Sequence, residues 1–136
     1  EKSLYVRLLA GLLLPASDYL QAQQARQVIR RAWSEMFTRL DCLLTPTTPV
    51  AAPGMGQSCV ALPTGEVSLL QACLGRTLPM NVTGHPALSV PCGFTRAGLP
   101  VGMQLVGQPF AEATILQVAH RFQQATDWHR RLRPEA

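Results

Sequence analysis

The segment Ala87–Gly107 reads ALSVPCGFTRAGLPVGMQLVG and contains two runs in which apolar residues alternate with others. The first run, 87–94, has the period of two that is expected of a β-strand. The second run, 101–106, has the same period except for an out-of-phase valine at its end. Because the tight turn 96–98 joins the two runs, we predict an antiparallel hairpin. Pro91 lacks a backbone N–H and therefore predicts an edge or bulge position in the first strand.

Two helices are predicted ahead of this hairpin. Apolar residues recur every three to four positions over Asp18–Leu40, which is typical of an amphipathic helix. Ser17 or Asp18 can cap this helix by accepting hydrogen bonds from its first amides. Pro15 separates it from a second predicted helix, Ser3–Leu14, which we expect to be packed.

Shorter elements are predicted between the long helix and the hairpin. Asp41–Leu44 is an apolar run that predicts a buried strand, and the prolines of Thr45–Pro49 make the next segment stiff and extended. Pro53–Pro63 is predicted to be irregular loop because of its prolines and glycines. A short helix over Gly65–Leu74 and a turn-rich segment over Pro79–Pro86 complete this region.

The last predicted element is a helix over Phe110–Ala125. Its expected buried residues are Ile115, Leu116, Ala119 and Phe122. Helices layered against strands predict an α/β fold. Three strands cannot cover two helical layers well, so we expect the sheet to be incomplete within residues 1–136.

The composition fits one globular domain or a piece of a larger one. Of the 136 residues, 47% are hydrophobic and 15% are charged, whereas about 25% charged residues is usual. This shortage of charge predicts that part of the surface is covered by further chain or by a partner subunit. The net charge of +4 is scattered over a helix and the C-terminal end, so we predict no nucleic-acid partner.

The chain has four cysteines, Cys42, Cys59, Cys73 and Cys92. No C-x-x-C pair occurs, so the spacing of a structural zinc site is missing. Two disulfides stay open as an alternative, but the apolar neighbours favour reduced cysteines and a cytoplasmic location. The apolar run Leu4–Leu14 is similar to a secretory signal, but Arg7 interrupts it. It is also shorter than the roughly 20 residues of a membrane span, so no membrane partner is predicted.

The residues of this chain do not form a complete hydrolytic centre. No G-x-S-x-G motif occurs, and Lys2 is the only lysine, so a serine–lysine centre cannot be assembled. Cys92 with a histidine as its base is an alternative, although a strand cysteine that packs inward is favoured. The three histidines, His85, His120 and His129, do not have metal-ligand spacing. We therefore predict no catalytic residue, no metal site and no cofactor.

Three blocks, in this order, resemble the C-terminal region of the amidase signature family. They are LDCLLTPTTP at 40–49, PMNVTGHPALSVPCGF at 79–94 and GLPVGMQLVG at 98–107, followed by Pro109-Phe110, Glu112-Ala113-Thr114 and Trp128-His129. Each block alone is a weak signal, but the order and spacing of all three are specific. The resemblance covers nearly the whole chain.

The resemblance implies that residues 1–136 are the C-terminal segment of a larger α/β/α fold with a mixed β-sheet flanked by helices. It also implies hydrolysis of a carboxamide C–N bond through a serine acyl-enzyme, without metal or cofactor. In this family a lysine and two serines perform the chemistry, with an oxyanion hole of backbone amides. These groups belong to a Gly-Gly-Ser-Ser-Gly segment and a lysine that have no counterpart in this sequence.

The resemblance also implies six residues at the substrate cleft: Thr45, Pro46, Thr47, Asn81, Thr83 and Gly84. The first three form a rigid prolyl strand end that is ordered before substrate arrives. The other three belong to a turn, where Asn81 and Thr83 are as well explained by hydrogen bonds to turn amides. Ala111 stands where relatives often place an aspartate helix cap.

Three functions remain open at this point. The favoured one is a general amidase that acts on a small-molecule amide. The second is the amidase-family subunit of a tRNA-dependent amidotransferase, which usually carries an acidic residue where this chain has Leu74-Gly75-Arg76-Thr77. The third is a non-catalytic scaffold or interaction module. The expected partner is the N-terminal remainder of the amidase or a partner subunit, with a homo-oligomer as a further alternative.

Overall fold

A computed structural model of the protein describes residues 2–131, and it describes side chains from residue 4 onward. The elements in chain order are α1 (Lys2–Leu12), α2 (Ala16–Phe37), β1 (Leu43–Pro46), β2 (Cys59–Leu62), β3 (Gly65–Ser68), α3 (Leu69–Thr83), β4 (Ala87–Phe94), β5 (Pro100–Val106), α4 (Glu112–Ala125) and a 3-10 turn (Trp128–Arg130). Helices and strands are mixed along the chain, which confirms the predicted α/β class.

Five strands form two antiparallel sheets within residues 2–131. The larger sheet has the order β1-β5-β4, so β5 is its central strand. The smaller sheet is the β2–β3 hairpin, which was not predicted from the sequence. The prediction of irregular loop over Pro53–Pro63 is therefore wrong for Cys59–Leu62, because burial of Val60 stabilises a strand where proline and glycine content indicates none.

The hairpin of β4 and β5 agrees with its prediction. The strands pair antiparallel from Ala87 opposite Val106 to Phe94 opposite Pro100. β4 is an edge strand, and its register shifts by one residue after Pro91, as the proline predicted.

The two faces of the three-stranded sheet are covered by different helices. On one face, Val90, Met103 and Leu105 are buried against Ile115 and Ala119 of α4. On the opposite face, Val106 is buried against Phe37 of α2 and Met80 of α3. The sheet thus lies between two helical layers, and each layer covers part of it.

Helix α3 departs most from the sequence prediction. The short helix expected over Gly65–Leu74 begins only at Leu69, after β3, and the expected turn over Pro79–Pro86 is helical as far as Thr83. Pro79 lies inside this helix. The missing proline N–H costs one helical hydrogen bond, but burial of Met80 against the sheet favours continuing the helix. Tertiary packing here overrides the local turn signal.

Three smaller predictions about the helices are wrong. Neither Ser17 nor Asp18 caps α2, because its N-cap is Pro15, whose carbonyl accepts the Asp18 N–H at 3.1 Å. α1 is helical but not packed against the rest of residues 2–131, since Leu12 is 80% exposed. Leu116 of α4 is exposed, because it lies outside the helix face that carries Ile115 and Ala119.

None of the helices within residues 2–131 combines the length and apolar character that crossing a membrane requires.

Candidate functional site

A row of polar side chains crosses the three-stranded sheet. Thr45 of β1 and Ser89 of β4 both lie opposite Gln104 of β5, so all three side chains point to the same face. This is the face that carries Val106, two residues further along β5, and that packs against α2 and α3. Polar residues in an otherwise apolar sheet mark this part of the face as the candidate site.

Gln104 is the buried centre of this row. Its side chain is 4% exposed, and its Nε2 donates to the backbone carbonyl of Arg76 at 3.1 Å and to Thr45 Oγ1 at 3.3 Å. A buried amide without partners would destabilise the fold, so these two bonds account for its burial. Gln104 therefore ties the strand end of β1 to helix α3.

Thr47 extends the same face by two residues. Its N–H donates to the Gly102 carbonyl at 3.0 Å, and its Oγ1 lies 2.7 Å from Ser89 Oγ. A methyl group on Gly102 would stand 2.9 Å from Thr47 Oγ1 and 3.1 Å from Ser89 Oγ. The absence of a side chain at Gly102 is therefore what allows the two hydroxyls to meet.

The prolyl strand end has two differently exposed faces. Thr45 and Thr47 are half-buried and belong to the polar row, whereas Pro46 between them is exposed and lies opposite Met103. This alternation is the ordinary geometry of a strand. The structure thus brings Thr45 and Thr47 together with Gln104 and Ser89, and it places Pro46 on the other side.

The remaining three candidate residues lie at the C-terminal end of α3. Asn81 is exposed, while Thr83 is completely buried and its Oγ1 donates to the Pro79 carbonyl at 2.8 Å. Gly84 caps the helix with a φ of 77°, and its N–H donates to the Met80 carbonyl at 2.8 Å. Thr83 and Gly84 therefore stabilise the helix end, and a cleft role for these three residues stays a prediction. No hydrogen bond between described side chains joins them to the polar row.

His85 completes the polar contacts at this helix end. Its Nδ1 lies 2.8 Å from Thr83 Oγ1. Because the single hydroxyl proton of Thr83 is donated to Pro79, the Nδ1–H of His85 must be the donor to Thr83. Nε2 of His85 then carries a lone pair, and it is buried without a hydrogen-bond partner among residues 4–131.

The surroundings of His85 favour its neutral form. The ring is 5% exposed, stacks on Phe37 at 5.2 Å, and lies 5.2 Å from the Trp33 ring. The pKa of His85 is lowered below its ordinary 6.5, mainly by burial and to a smaller extent by the nearby positive charge of Arg30. A neutral histidine on an aromatic surface is a packing group of the α2–α3 layer rather than a base open to substrate.

The surroundings of Cys92 and Cys42 favour a packing role over a reactive one. Cys92 packs against the α4 core cluster, and its Sγ lies 3.5 Å from the Val101 carbonyl. Burial raises the pKa of the Cys42 thiol, which disfavours the thiolate. Within residues 4–131, no three His, Cys, Asp or Glu side chains stand close enough to hold a metal ion.

Ser89, Gly102 and Gln104 were missed as site residues in the sequence. The hairpin was predicted without its register, and the one-residue shift between Pro91 and Gly93 is what places Ser89 opposite Gln104. A glutamine between Met103 and Leu105 in a central strand is the signal that was available, because a buried amide requires partners. The contact with Arg76 is between distant parts of the chain and had no local signal.

The family to which this chain belongs follows from its similarity to a known family. Residues 4–116 match the family model named Amidase, so the chain belongs to the amidase signature family. This confirms the resemblance seen in the three sequence blocks.

Two similar proteins carry the name of the same enzyme. The chain is 49% identical over 117 residues to the A subunit of glutamyl-tRNA(Gln) amidotransferase from Moorella thermoacetica, covering 86% of this chain and 23% of that protein. It is 48% identical over 117 residues to the protein of the same name from Chloroflexus aggregans, covering 86% of this chain and 22% of that protein. The chain therefore spans less than a quarter of the length of these relatives.

Solved structures extend the likeness to the fold. A crystal structure of an amidase superimposes with a TM-score of 0.83 at 31% identity, covering 92% of this chain and 28% of that one. The glutamyl-tRNA(Gln) amidotransferase structure from Thermotoga maritima gives a TM-score of 0.61 at 30% identity, covering 92% of this chain and 27% of that one.

Proposed function

We propose that this chain is the C-terminal part of an amidase-family enzyme that breaks the C–N bond of a carboxamide, and that this enzyme is of the glutamyl-tRNA(Gln) amidotransferase type. The observation that carries the proposal is the high identity to proteins of that name over most of this chain. From the sequence alone a general amidase was favoured, with the amidotransferase as an alternative. The relatives favour that alternative.

In this proposal the chain shapes the substrate cleft and takes no part in the chemistry. A serine nucleophile needs a base, and a lysine that serves as one must be partly neutral, hence buried or closely partnered. Lys2 is the only lysine of the sequence, and the family's serine segment is missing from these residues. The catalytic serines and lysine would therefore come from the N-terminal remainder of the enzyme, and the reaction would pass through a serine acyl-enzyme.

The polar row supports the cleft role. Burial of a polar side chain costs free energy unless it is hydrogen-bonded, and buried Gln104 meets this requirement with bonds to Thr45 and to the Arg76 carbonyl. Here Gln104 holds Thr45, and Ser89 holds Thr47, on a strand end that is followed by a bend. We infer that Thr45, Pro46 and Thr47 border the substrate, while Asn81, Thr83 and Gly84 form the second edge of the cleft.

A general amidase is the second candidate. It is favoured by the absence of an acidic residue in Leu74–Thr77, the stretch where glutamine-using members usually carry one. The backbone of this chain also superimposes more closely on the solved amidase than on the solved amidotransferase. For both candidates we expect a cytoplasmic enzyme, and for the amidotransferase we expect partner subunits.

The test compares two substrates on the full-length protein that carries this chain. If it is of the amidotransferase type, it co-purifies with two further subunits and releases ammonia from glutamine faster than it cleaves a simple aryl amide. A general amidase would show the reverse preference and purify alone. A full-length protein that cleaves neither compound, alone or with its co-purifying subunits, would contradict both candidates and favour a non-catalytic scaffold.

A further inference from the structure

The hydroxyl contact between Thr47 and Ser89 passes over the central strand of the sheet. β1 and β4 are not neighbours, because β5 lies between them. Neighbouring strands are about 4.8 Å apart, so the 2.7 Å contact requires the Thr47 and Ser89 side chains to lean toward each other across the gap above β5. Two short hydroxyl side chains meet across that gap only where the strand between them presents no side chain.

Gly102 supplies that opening. It lies two residues before Gln104 on β5, on the face of the polar row, opposite Pro91 of β4. A Cβ at this position would lie 2.9 Å from Thr47 Oγ1, 3.1 Å from Ser89 Oγ and 3.3 Å from Thr47 Cβ. Cβ atoms essentially never come within 3.0 Å of another atom, and contacts of 3.1–3.3 Å are tight, so any side chain here would push the two hydroxyls apart.

Thr47 is also the last point at which this segment is fixed to the sheet. The last residue pair of the β1–β5 ladder is Pro46 opposite Met103. Directly after it, the Thr47 N–H donates a hydrogen bond to the Gly102 carbonyl. After Thr47 the chain bends, and the Thr48 hydroxyl donates to the nearby Val50 carbonyl at 2.8 Å. The contact with Ser89 therefore sets the position of the side chain at the very end of the strand.

We propose that Ser89 and Gly102 are positioning residues for the substrate cleft: the hydroxyl bridge from Thr47 to Ser89, over the bare backbone of Gly102, holds the strand end Thr45–Thr47 in its binding position. The proposal rests on the proposed function, in which this strand end borders the substrate. Neither residue touches substrate. Both act through Thr47.

Two substitutions break the bridge in different ways. Ser89→Ala removes one hydroxyl, and Gly102→Ala inserts a methyl group between the two. Both are expected to leave the fold intact, because Ser89 is exposed and the two atoms nearest to a methyl group at 102 are hydroxyl oxygens that can rotate away. Thr47 Cβ, at 3.3 Å, cannot rotate away but needs to shift by only a few tenths of an ångström. Loss of one hydrogen bond in the cleft corresponds to about a fivefold rise in KM, with kcat little changed.

The experiment measures KM and kcat of the full-length enzyme on glutamine and on an aryl amide, together with the melting temperature. Each single variant should raise KM by a similar factor at an unchanged melting temperature. The double variant should raise KM no further, because both changes remove the same bridge. Ser89→Thr keeps the hydroxyl and should keep the KM. Gly54→Ala is the matched control, because a methyl group at position 54 would meet only Gln57 Oε1, at an ordinary 4.0 Å.

The outcomes separate the two proposals. An active wild-type enzyme whose KM is unchanged in Ser89→Ala and Gly102→Ala overturns the positioning role alone. Additive effects of the two substitutions, or a KM that rises only with a loss of melting temperature, overturn it as well. A wild-type protein that cleaves neither amide refutes the proposed function, and the positioning role with it.

Discussion

The β4–β5 hairpin and the α1–α2 region bury their apolar residues to very different extents. Leu105 in the central strand is completely buried, and Val90 beside it is 4% exposed. In α1, Leu8 and Leu12 are 65% and 80% exposed, although α1 is also rich in apolar residues. The hairpin has helix α4 packed on it, whereas nothing in the described residues covers α1. An apolar pattern therefore predicts an element correctly, but it does not say which chain covers it.

The largest effect that tests this difference is the removal of a buried leucine. Leu105→Ala leaves a cavity between the sheet and α4 and should lower the free energy of unfolding of the 136-residue chain by about 2–5 kcal/mol. Leu12→Ala is the matched control and should change it by less than about 0.5 kcal/mol. Urea denaturation of both variants checks this. Equal losses in the two variants would mean that α1 is packed in solution.

The second effect concerns the polar row. Gln104→Met keeps the size of the side chain but removes both donated hydrogen bonds, which leaves the Arg76 carbonyl without this partner. The expected loss of stability is about 1–3 kcal/mol. Gln108→Met removes a single bond, to the Phe37 carbonyl at 2.7 Å, from a more exposed side chain and should cost less. If Gln104→Met were as stable as wild type, the amide would have no structural role.

The third effect is on association and concerns the uncovered region directly. The 136-residue chain should self-associate or bind a hydrophobic dye, because the exposed apolar side chains of α1 form a contact surface. Replacing Leu8 and Leu12 with glutamate should reduce both signals. Replacing the polar, exposed pair Gln24 and Gln27 in the same way is the control. A monomeric wild-type chain with a sharp two-state melt and no dye binding would show that the apolar residues of α1 are covered in solution.

The smallest effect is a pH dependence that arises in the α2–α3 layer. The folded-state pKa of His85 is lowered, so the unfolded chain binds its proton first as pH falls. His85 therefore contributes stability in full above the unfolded pKa of about 6.5, and this contribution is lost as pH falls from there toward the lower folded pKa. His85→Gln should flatten the pH profile of stability below about 6.5, measured by urea denaturation. A His85→Gln variant with the same pH profile of stability as wild type would contradict this account.

Most of the fold was predictable where a local period reports burial. The β4–β5 hairpin and the long helix α2 follow from spacing, and the irregularity at Pro91 follows from the missing proline N–H. Helix α3 was not predictable, because Pro79 indicates a turn locally and only the packing of Met80 on the sheet reverses that preference. The strand β2 was missed for a similar reason, since its pairing with β3 depends on the buried Val60.

The candidate site was predictable only in part. The prolyl strand end came from a family resemblance, and the structure adds the residues that hold Thr45 and Thr47 in place. The partners in those contacts are between 28 and 59 positions apart along the chain. Local sequence patterns do not encode such contacts. The opening at Gly102 is visible only when three strands are placed side by side.

The proposed function requires this chain to support a serine centre that it does not contain. The most direct measurement is hydrolysis of an aryl amide by the purified 136-residue chain, beside the full-length protein under the same conditions. We expect no turnover above the uncatalysed background from the chain and measurable turnover from the full-length protein. Turnover by the 136-residue chain itself would contradict the claim.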